Sequence, residues 1–137
     1  MFISIGSPAP KLEADAFARG EQRRRIALGE FRGSWTVVAF GVRRFDAIEL
    51  AELEEAFAAD GAVVLATTPS DWHEAESLYR GTSLRFPLLT EVGETRRITM
   101  IVDPYGVVRH VGLRRTARET LRSLERLLGA STIRSAA

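Results

Sequence analysis

The chain has 137 residues, enough for one domain with a hydrophobic core and too few for two ordinary domains. Hydrophobic residues make up 45% of it and charged residues 27%, proportions that fit a soluble globular protein and exclude a largely disordered chain. Because the net charge is only +1, bulk electrostatics predicts neither a nucleic-acid nor a membrane partner.

The sequence contains no cysteine. This excludes disulfides, thiolate–zinc sites, iron–sulfur clusters and every mechanism that needs a thiol nucleophile. The N-terminus, MFISIGSPAPK, lacks a basic stretch followed by a continuous apolar run, and no apolar run approaches the length that crosses a bilayer. We therefore expect a soluble, cytoplasmic protein.

In chain order, an opening punctuated by GSPAP leads into a loop-rich stretch, with a short strand expected at residues 25–28. WTVVAF, residues 35–40, has the composition of a strand buried on both faces. A helix is predicted at about residues 47–59, where Leu50, Leu53 and Phe57 share one face. GAVVLATT, residues 61–68, predicts a second buried strand.

The second half predicts a helix, a hairpin and a final helix. Asp71 begins the first of these helices, with Glu74 at capping-box spacing, and Gly81 ends it. ITMIVD and VVRHVG are strands joined by DPYG, a type I turn sequence. The last helix starts at Thr116, with Glu119 three residues on, and is expected to end at Gly129 before a flexible tail, residues 131–137.

Two crossover units followed by a hairpin predict a mixed sheet, parallel first and antiparallel at one edge, with helices on both faces. We therefore predict an α/β fold, a thioredoxin-like three-layer sandwich that forms a single domain over residues 1–130. No internal repeat or low-complexity tract interrupts it.

Five stretches, in the right order, resemble the peroxiredoxins of the alkyl hydroperoxide reductase and thiol-specific antioxidant (AhpC/TSA) family. They are IGSPAPKLEADAFARG, LGEFRGSWTVVAF, LRFPLLTE, RRITMIVDPYGVVRHV and ARETLRSLERL, and together they span most of residues 5 to 128. The resemblance implies the peroxiredoxin type of thioredoxin-like sandwich.

The resemblance also implies an altered site. The family reduces peroxides with the cysteine of a P-x-x-x-T-x-x-C motif. Aligned without gaps, the proline falls on Val42, the threonine on Asp46 and the cysteine on Glu49. The active-site arginine of the family falls on Arg97 and is retained. A second departure is a shortened connection: only TEVGET separates the FPLL stretch from the arginine pair before the hairpin, which could leave an apolar surface for a partner.

A carboxylate cannot replace the lost thiol, because peroxide reduction needs a soft nucleophile that can be oxidised and restored. Two interpretations of Glu49 remain open and compatible. In the first it closes a capping box with Asp46 as N-cap, while Phe45 and Leu50 form a hydrophobic staple. In the second it replaces the sulfur anion at the helix N-terminus and pairs with Arg97.

Other candidate sites follow from residue type. All but one of the 19 basic residues are arginine, which indicates either a coding bias or a set of anion-binding sites. Arg43 and Arg44 could form an anion pocket with Arg97. His73 and His110 are the only histidines, and His73, with Glu74 and Glu76 beside it, has no ligand partner at the helical i, i+4 spacing, so we predict no metal site and no cofactor.

Three functions are consistent with these patterns. The first is a peroxiredoxin-like binding or regulatory protein without thiol peroxidase activity, a homo-oligomer such as a dimer or the partner of another protein. The second is an interaction subunit that pairs with a cysteine-bearing redox relative in a hetero-oligomer. The third is an enzyme of non-thiol chemistry that uses Glu49 or Asp46 as a base beside Arg97.

Overall fold

The computed structural model describes residues 2–18 and 23–136, and the side chains of that range as far as residue 129. Its strands form one mixed sheet in the spatial order β2-β1-β5-β4-β3-β6-β7. The strands are β1 Glu13–Phe17, β2 Arg23–Ala27, β3 Thr36–Ala39, β4 Val63–Thr67, β5 Leu88–Leu89, β6 Ile98–Val102 and β7 Val108–Leu113. β3, β4 and β5 are parallel to one another, and every other pairing is antiparallel.

The helices lie between and after these strands. They are a 3-10 helix at Leu28–Phe31, then α1 Arg44–Glu52, α2 Glu54–Ala59, α3 Trp72–Gly81 and α4 Ala117–Ala136. No helix in the described ranges has the length and apolar character needed to cross a bilayer.

The sheet separates two hydrophobic clusters, because alternate side chains of a strand point to opposite faces. Val37 of β3 packs in one cluster and Val38 in the other. The first cluster receives buried residues from all four α-helices, among them Leu50 and Phe57. The second is covered by the 3-10 helix and by extended segments, which include Val92 in the shortened connection before the hairpin. The connection thus contributes to the core.

The predicted α/β fold with a mixed sheet is confirmed, and so are several local elements. The expectation of helices on both faces holds only through the 3-10 helix, because the buried residues of all four α-helices lie in the first cluster. The DPYG turn joins β6 to β7, and the Gly106 N–H donates to the Asp103 carbonyl as a turn of this type requires. Asp71 caps α3 by accepting a hydrogen bond from the Glu74 N–H. Trp72 of α3 stacks on Phe17 with 3.8 Å between ring centroids.

Other boundaries were wrong. The helix predicted at residues 47–59 is two helices, α1 and α2, and begins earlier, at Arg44. The two helices are divided at Leu53, whose N–H donates to both the Glu49 and the Leu50 carbonyls in a tightened turn. The strand expected at residues 25–28 is displaced to Arg23–Ala27. The sequence patterns did not indicate β1 and β5.

The last helix was also predicted too short. Thr116 and Glu119 exchange the two hydrogen bonds of a capping box, as predicted. The helix continues past Gly129 to Ala136, because an interior glycine costs only about 1 kcal/mol and does not by itself end a helix. Residues 20–22 of the predicted loop and residue 137 of the predicted tail lie outside the described residues.

The connection from β3 to α1 depends on Gly41. Its φ is +62°, and a Cβ added there would lie 2.7 Å from the carbonyl oxygens of Thr95 and Arg96. The next residue, Val42, is fixed from the other side because its N–H donates to the Thr67 carbonyl at the end of β4. Gly41 thereby lets the start of α1 lie against the segment that carries Arg96 and Arg97.

We expect Gly41→Ala to destabilise the fold by about 2 to 4 kcal/mol, through the left-handed φ and the backbone clash together. Gly61→Ala is the matched control, because Gly61 also has a positive φ, +70°, but open space around it. The free energy of unfolding of that variant should fall by only about 1 to 2 kcal/mol. Urea denaturation of the two variants measures the difference, and equal losses would contradict a close-contact role for Gly41.

Candidate functional site

The candidate site lies where α1 begins, beside the first residues of β6. Arg43 is the N-cap of α1, and its side chain cannot accept a hydrogen bond. Asp46 occupies the third helical position, and its Oδ2 accepts a hydrogen bond from the Arg43 N–H at 2.9 Å. Asp46 therefore supplies the acidic half of a capping box, which satisfies a backbone donor at the helix start.

This geometry corrects the predicted capping scheme. Asp46 is not the N-cap and Glu49 is not at the third position, because the helix starts three residues earlier than the sequence pattern indicated. The predicted staple between Phe45 and Leu50 is also wrong. Leu50 is buried, whereas Phe45 lies in the first turn with 55% of its surface exposed.

Arg97 forms a two-point ion pair with Asp46. Its Nε lies 3.1 Å from Oδ2 and its Nη2 lies 2.5 Å from Oδ1. The arginine and aspartate side chains are only 21% and 15% exposed. The guanidinium carbon also lies 4.5 Å from the centroid of the Phe45 ring, which places the cation over an aromatic face. Arg97 is thus held by one carboxylate and one ring.

Glu49, one turn further along α1, has a different partner. Its carboxylate accepts a hydrogen bond from the Ala117 N–H, the first residue of α4. Glu49 therefore satisfies a backbone donor at the start of another helix, where a negative charge is also favoured by the helix dipole. The carboxylate that pairs with Arg97 is Asp46, so the hypothesis of a Glu49–Arg97 pair named the wrong acidic residue.

Little space remains around this pair. A cavity of about 30 Å3 lies among Val42, Asp46, Arg97, Thr99 and Ala117, with other apolar residues around it. Such a volume holds about one water molecule and no organic substrate. Val42, at the position aligned with the family's proline, is buried in the hydrophobic cluster that the α-helices share. The site is therefore filled by the chain's own side chains.

Arg43 and Arg44, the N-cap and the first residue of α1, extend their side chains to different places. The Arg44 side chain donates to the Gly81 carbonyl at the end of α3, at 3.4 Å, and so does not join Arg97. Arg43 lines a groove of about 620 Å3 together with Arg96, Arg97 and Arg114. The predicted pocket of Arg43, Arg44 and Arg97 is therefore assembled only in part, and its binding of anions stays a prediction.

Sequence reasoning missed Arg96 and Arg114 as members of this groove. Their signal was present in the predicted hairpin: Ile98 pairs with Leu113, so the residues flanking them, Arg97 and Arg114, also lie side by side. The Arg114 N–H donates to the Arg97 carbonyl at 2.8 Å. Within the described parts of the chain, no three histidine, aspartate or glutamate side chains gather as a metal site.

Arg96 is fixed by a neighbour in the shortened connection. The Glu94 carboxylate is buried, and it accepts the Arg96 side chain through two nitrogens at 2.8 and 3.1 Å and the Arg96 N–H at 3.2 Å. These hydrogen bonds from Arg96 hold the pKa of Glu94 below its ordinary value of 4.5. Glu94 thus fixes the turn whose Thr95 and Arg96 carbonyls lie against Gly41.

The overall architecture is that of the peroxiredoxins, a thioredoxin-like α/β fold. The chain is similar to the mitochondrial 2-Cys peroxiredoxin from Plasmodium falciparum, with a TM-score of 0.84 and 16% identity over 94% of this chain and 96% of that one. It is also similar to Enterococcus faecalis AhpC, with a TM-score of 0.82 and 16% identity over 96% of each chain. Mycobacterium bovis AhpC gives a TM-score of 0.79 and 21% identity over 93% of this chain and 94% of that one.

No family model matches the sequence, and no curated protein matches it. The chain therefore has the peroxiredoxin fold on a sequence that lacks cysteine, which confirms the fold that the five motifs implied. At these identities the likeness establishes the fold alone.

We expect Asp46 and Arg97 to be energetically coupled. In a double-mutant cycle with Asp46→Ala and Arg97→Ala, either single change leaves an unpaired, mostly buried charge, so the coupling energy should be about 1 to 2 kcal/mol. Glu49→Ala with Arg97→Ala is the control cycle and should be additive within about 0.5 kcal/mol. Urea unfolding measures both cycles, and a larger coupling in the second would mean that Glu49 is the true partner of Arg97.

The Glu94 contacts predict a contribution to acid sensitivity. Its folded pKa is lowered, so its stabilising effect is present above pH 4.5 and is lost as the pH falls from there through the folded value. Glu94→Gln should therefore flatten part of the decline in unfolding free energy below about pH 4.5. Glu55→Gln, at an exposed position of α2, should leave the decline unchanged. An unaltered acid slope in the Glu94 variant would contradict this role.

Proposed function

We propose that this chain is a cysteine-less, peroxiredoxin-like cytoplasmic protein without thiol peroxidase activity, which acts by binding another protein and so has a regulatory or scaffolding role. Two facts support the loss of activity. The fold is that of the peroxiredoxins, and the whole sequence lacks the sulfur nucleophile on which thiol-dependent peroxide reduction depends.

The observation that carries the proposal is the two-point pair of Asp46 and Arg97. By resemblance Arg97 is the active-site arginine of the family, the cation that would stabilise the anionic nucleophile. Here the Nε and Nη2 donors of Arg97 are engaged by Asp46, at 3.1 and 2.5 Å, and the adjacent cavity holds about one water. A peroxide therefore has no sulfur nucleophile to react with, and the two-point face of the Arg97 guanidinium is already bound to Asp46.

The same contacts argue against an enzyme of non-thiol chemistry. A general base needs a carboxylate oxygen directed at the substrate. Asp46 accepts hydrogen bonds from Arg97 and from the Arg43 N–H, while Glu49 accepts one from the Ala117 N–H. Both carboxylates thus act within the fold.

Exposed apolar side chains favour a protein partner. Phe45 and Ile48 lie one turn apart on the outer side of α1, and Leu113 at the end of β7 is 65% exposed. Large apolar residues near one another at a surface are a common feature of protein interfaces. The partner could be a second copy of the chain, giving a dimer, or a cysteine-bearing redox relative, and co-purification from the native source distinguishes the two.

We expect the native chain to consume no hydrogen peroxide above the no-protein rate when supplied with a thiol reductant. Glu49→Cys should gain little, because Arg97 remains held by Asp46 and the rest of the motif stays altered. The triple variant Val42→Pro, Asp46→Thr, Glu49→Cys is the matched comparison, since it restores the motif and releases Arg97. Thiol-dependent consumption of hydrogen peroxide by the native chain would contradict the proposed absence of peroxidase activity.

A further inference from the structure

A basic groove lies on the solvent side of the Asp46–Arg97 pair. It is lined by Arg43, Thr95, Arg96, Arg97, Leu113 and Arg114 and has a volume of about 620 Å3. This volume falls within the range of ligand-binding clefts, whereas the cavity on the inner side of the pair holds about one water. Of these two spaces, only the groove has room for a ligand larger than a water molecule.

The charges of the groove are only partly compensated. Arg96 is paired with Glu94 and Arg97 with Asp46. Arg43 and Arg114 are exposed, and neither side chain forms an ion pair or hydrogen bond with any described residue. Their backbones are nevertheless fixed, because the Arg43 N–H donates to Asp46 and the Arg114 N–H donates to the Arg97 carbonyl. The groove thus carries two guanidinium groups on fixed backbone positions, and neither has a partner among the described residues.

Apolar surface accompanies these two charges. Leu113 lies in the groove and is 65% exposed. On α1, Phe45, whose ring contacts the Arg97 guanidinium, and Ile48 are 55% and 40% exposed. An inorganic anion would satisfy the arginines and leave these side chains in water. A ligand that carries both carboxylates and apolar side chains is complementary to the whole surface.

We propose that this groove binds an acidic peptide segment of a protein partner, whose carboxylates pair with Arg43 and Arg114 and whose apolar side chain covers Leu113. The inference rests on the proposed binding function and specifies the chemistry of the partner. Guanidinium groups suit this task because they bind carboxylates through two parallel hydrogen bonds.

The test uses the purified full chain and an array of synthetic dodecapeptides that carry two glutamates and two leucines at every spacing. Each peptide has two counterparts, one with glutamine for glutamate and one with serine for leucine. We expect the chain to bind a subset of the acidic, leucine-containing peptides and neither counterpart of that subset. The affinity should fall as salt concentration rises, as expected for exposed charge pairs.

Two variants of the chain locate the site. Arg114 has a left-handed φ of 52°, which glycine adopts without strain, so Arg114→Gly removes the guanidinium without a cost in backbone strain. Arg43→Gln keeps the backbone N–H that Asp46 accepts. Each variant should weaken peptide binding about tenfold. Arg44→Gln removes the same charge from a side chain that lies outside the groove and contacts the end of α3. It should change the affinity for the peptide less than twofold.

Several results would overturn the inference. The first is that no peptide binds at millimolar concentration, and the second is that the glutamine or serine counterparts bind equally well. The third is that Arg44→Gln weakens peptide binding as much as the groove variants do. The fourth is that inorganic phosphate binds as tightly as the peptide and displaces it completely. The peroxide assay is independent of all of them. Turnover there would refute the proposed function and leave the peptide result standing, whereas failure on the array would refute only the groove.

Discussion

The pair of Asp46 and Arg97 joins two parts of the chain that lie 51 residues apart in sequence. Asp46 fixes the first turn of α1, and Arg97 leads directly into β6, the strand that pairs with both β3 and β7. The pair can form only because Gly41 permits close approach to the carbonyls of Thr95 and Arg96. The ion pair therefore depends on a backbone contact, that of Gly41 with the Thr95 and Arg96 carbonyls, which leaves no room for a side chain.

The pair also separates an inner from an outer surface. On its inner side lie buried Val42 and a cavity with space for about one water. On its outer side lies the groove with the uncompensated guanidinium groups of Arg43 and Arg114. Charges in the interior must be paired, since an isolated buried ion is costly, whereas exposed arginines can remain without partners until a ligand arrives. The arrangement leaves room for a ligand at the surface and for about one water in the interior.

Much of the fold could be predicted from local sequence. The hairpin, the cap of α3 at Asp71 and the Thr116–Glu119 box each depend on residues within a few positions of one another, so their signals are contained in short stretches. β5 has only two residues and is defined by its pairing with β1 and β4, which no local pattern displays. Contacts between segments that are distant in sequence could not be predicted, because no local pattern displays them either.

The site shows how a small boundary error changes a chemical interpretation. Asp46 and Glu49 are three residues apart on one helix, so either could have been assigned to Arg97 while the helix start was uncertain by one turn. The observed start at Arg44 directs Asp46 to Arg97 and Glu49 to the first N–H of α4. The resemblance assigns the motif to positions 42, 46 and 49 of the sequence, whereas the partners of those positions depend on helix geometry.

Both acidic residues at the altered positions now make contacts on which the structure depends. Asp46 compensates a mostly buried guanidinium, and Glu49 satisfies a backbone donor of another helix. Replacing either one leaves a buried polar group without a partner, which costs more than the original interaction gains. Thiol chemistry at this site would therefore require a cysteine at position 49, release of Arg97, and new partners for both groups left unsatisfied. Asp46 and Glu49 are thus part of the internal bonding of the fold, so that a change of chemistry at these two positions is coupled to the stability of the fold.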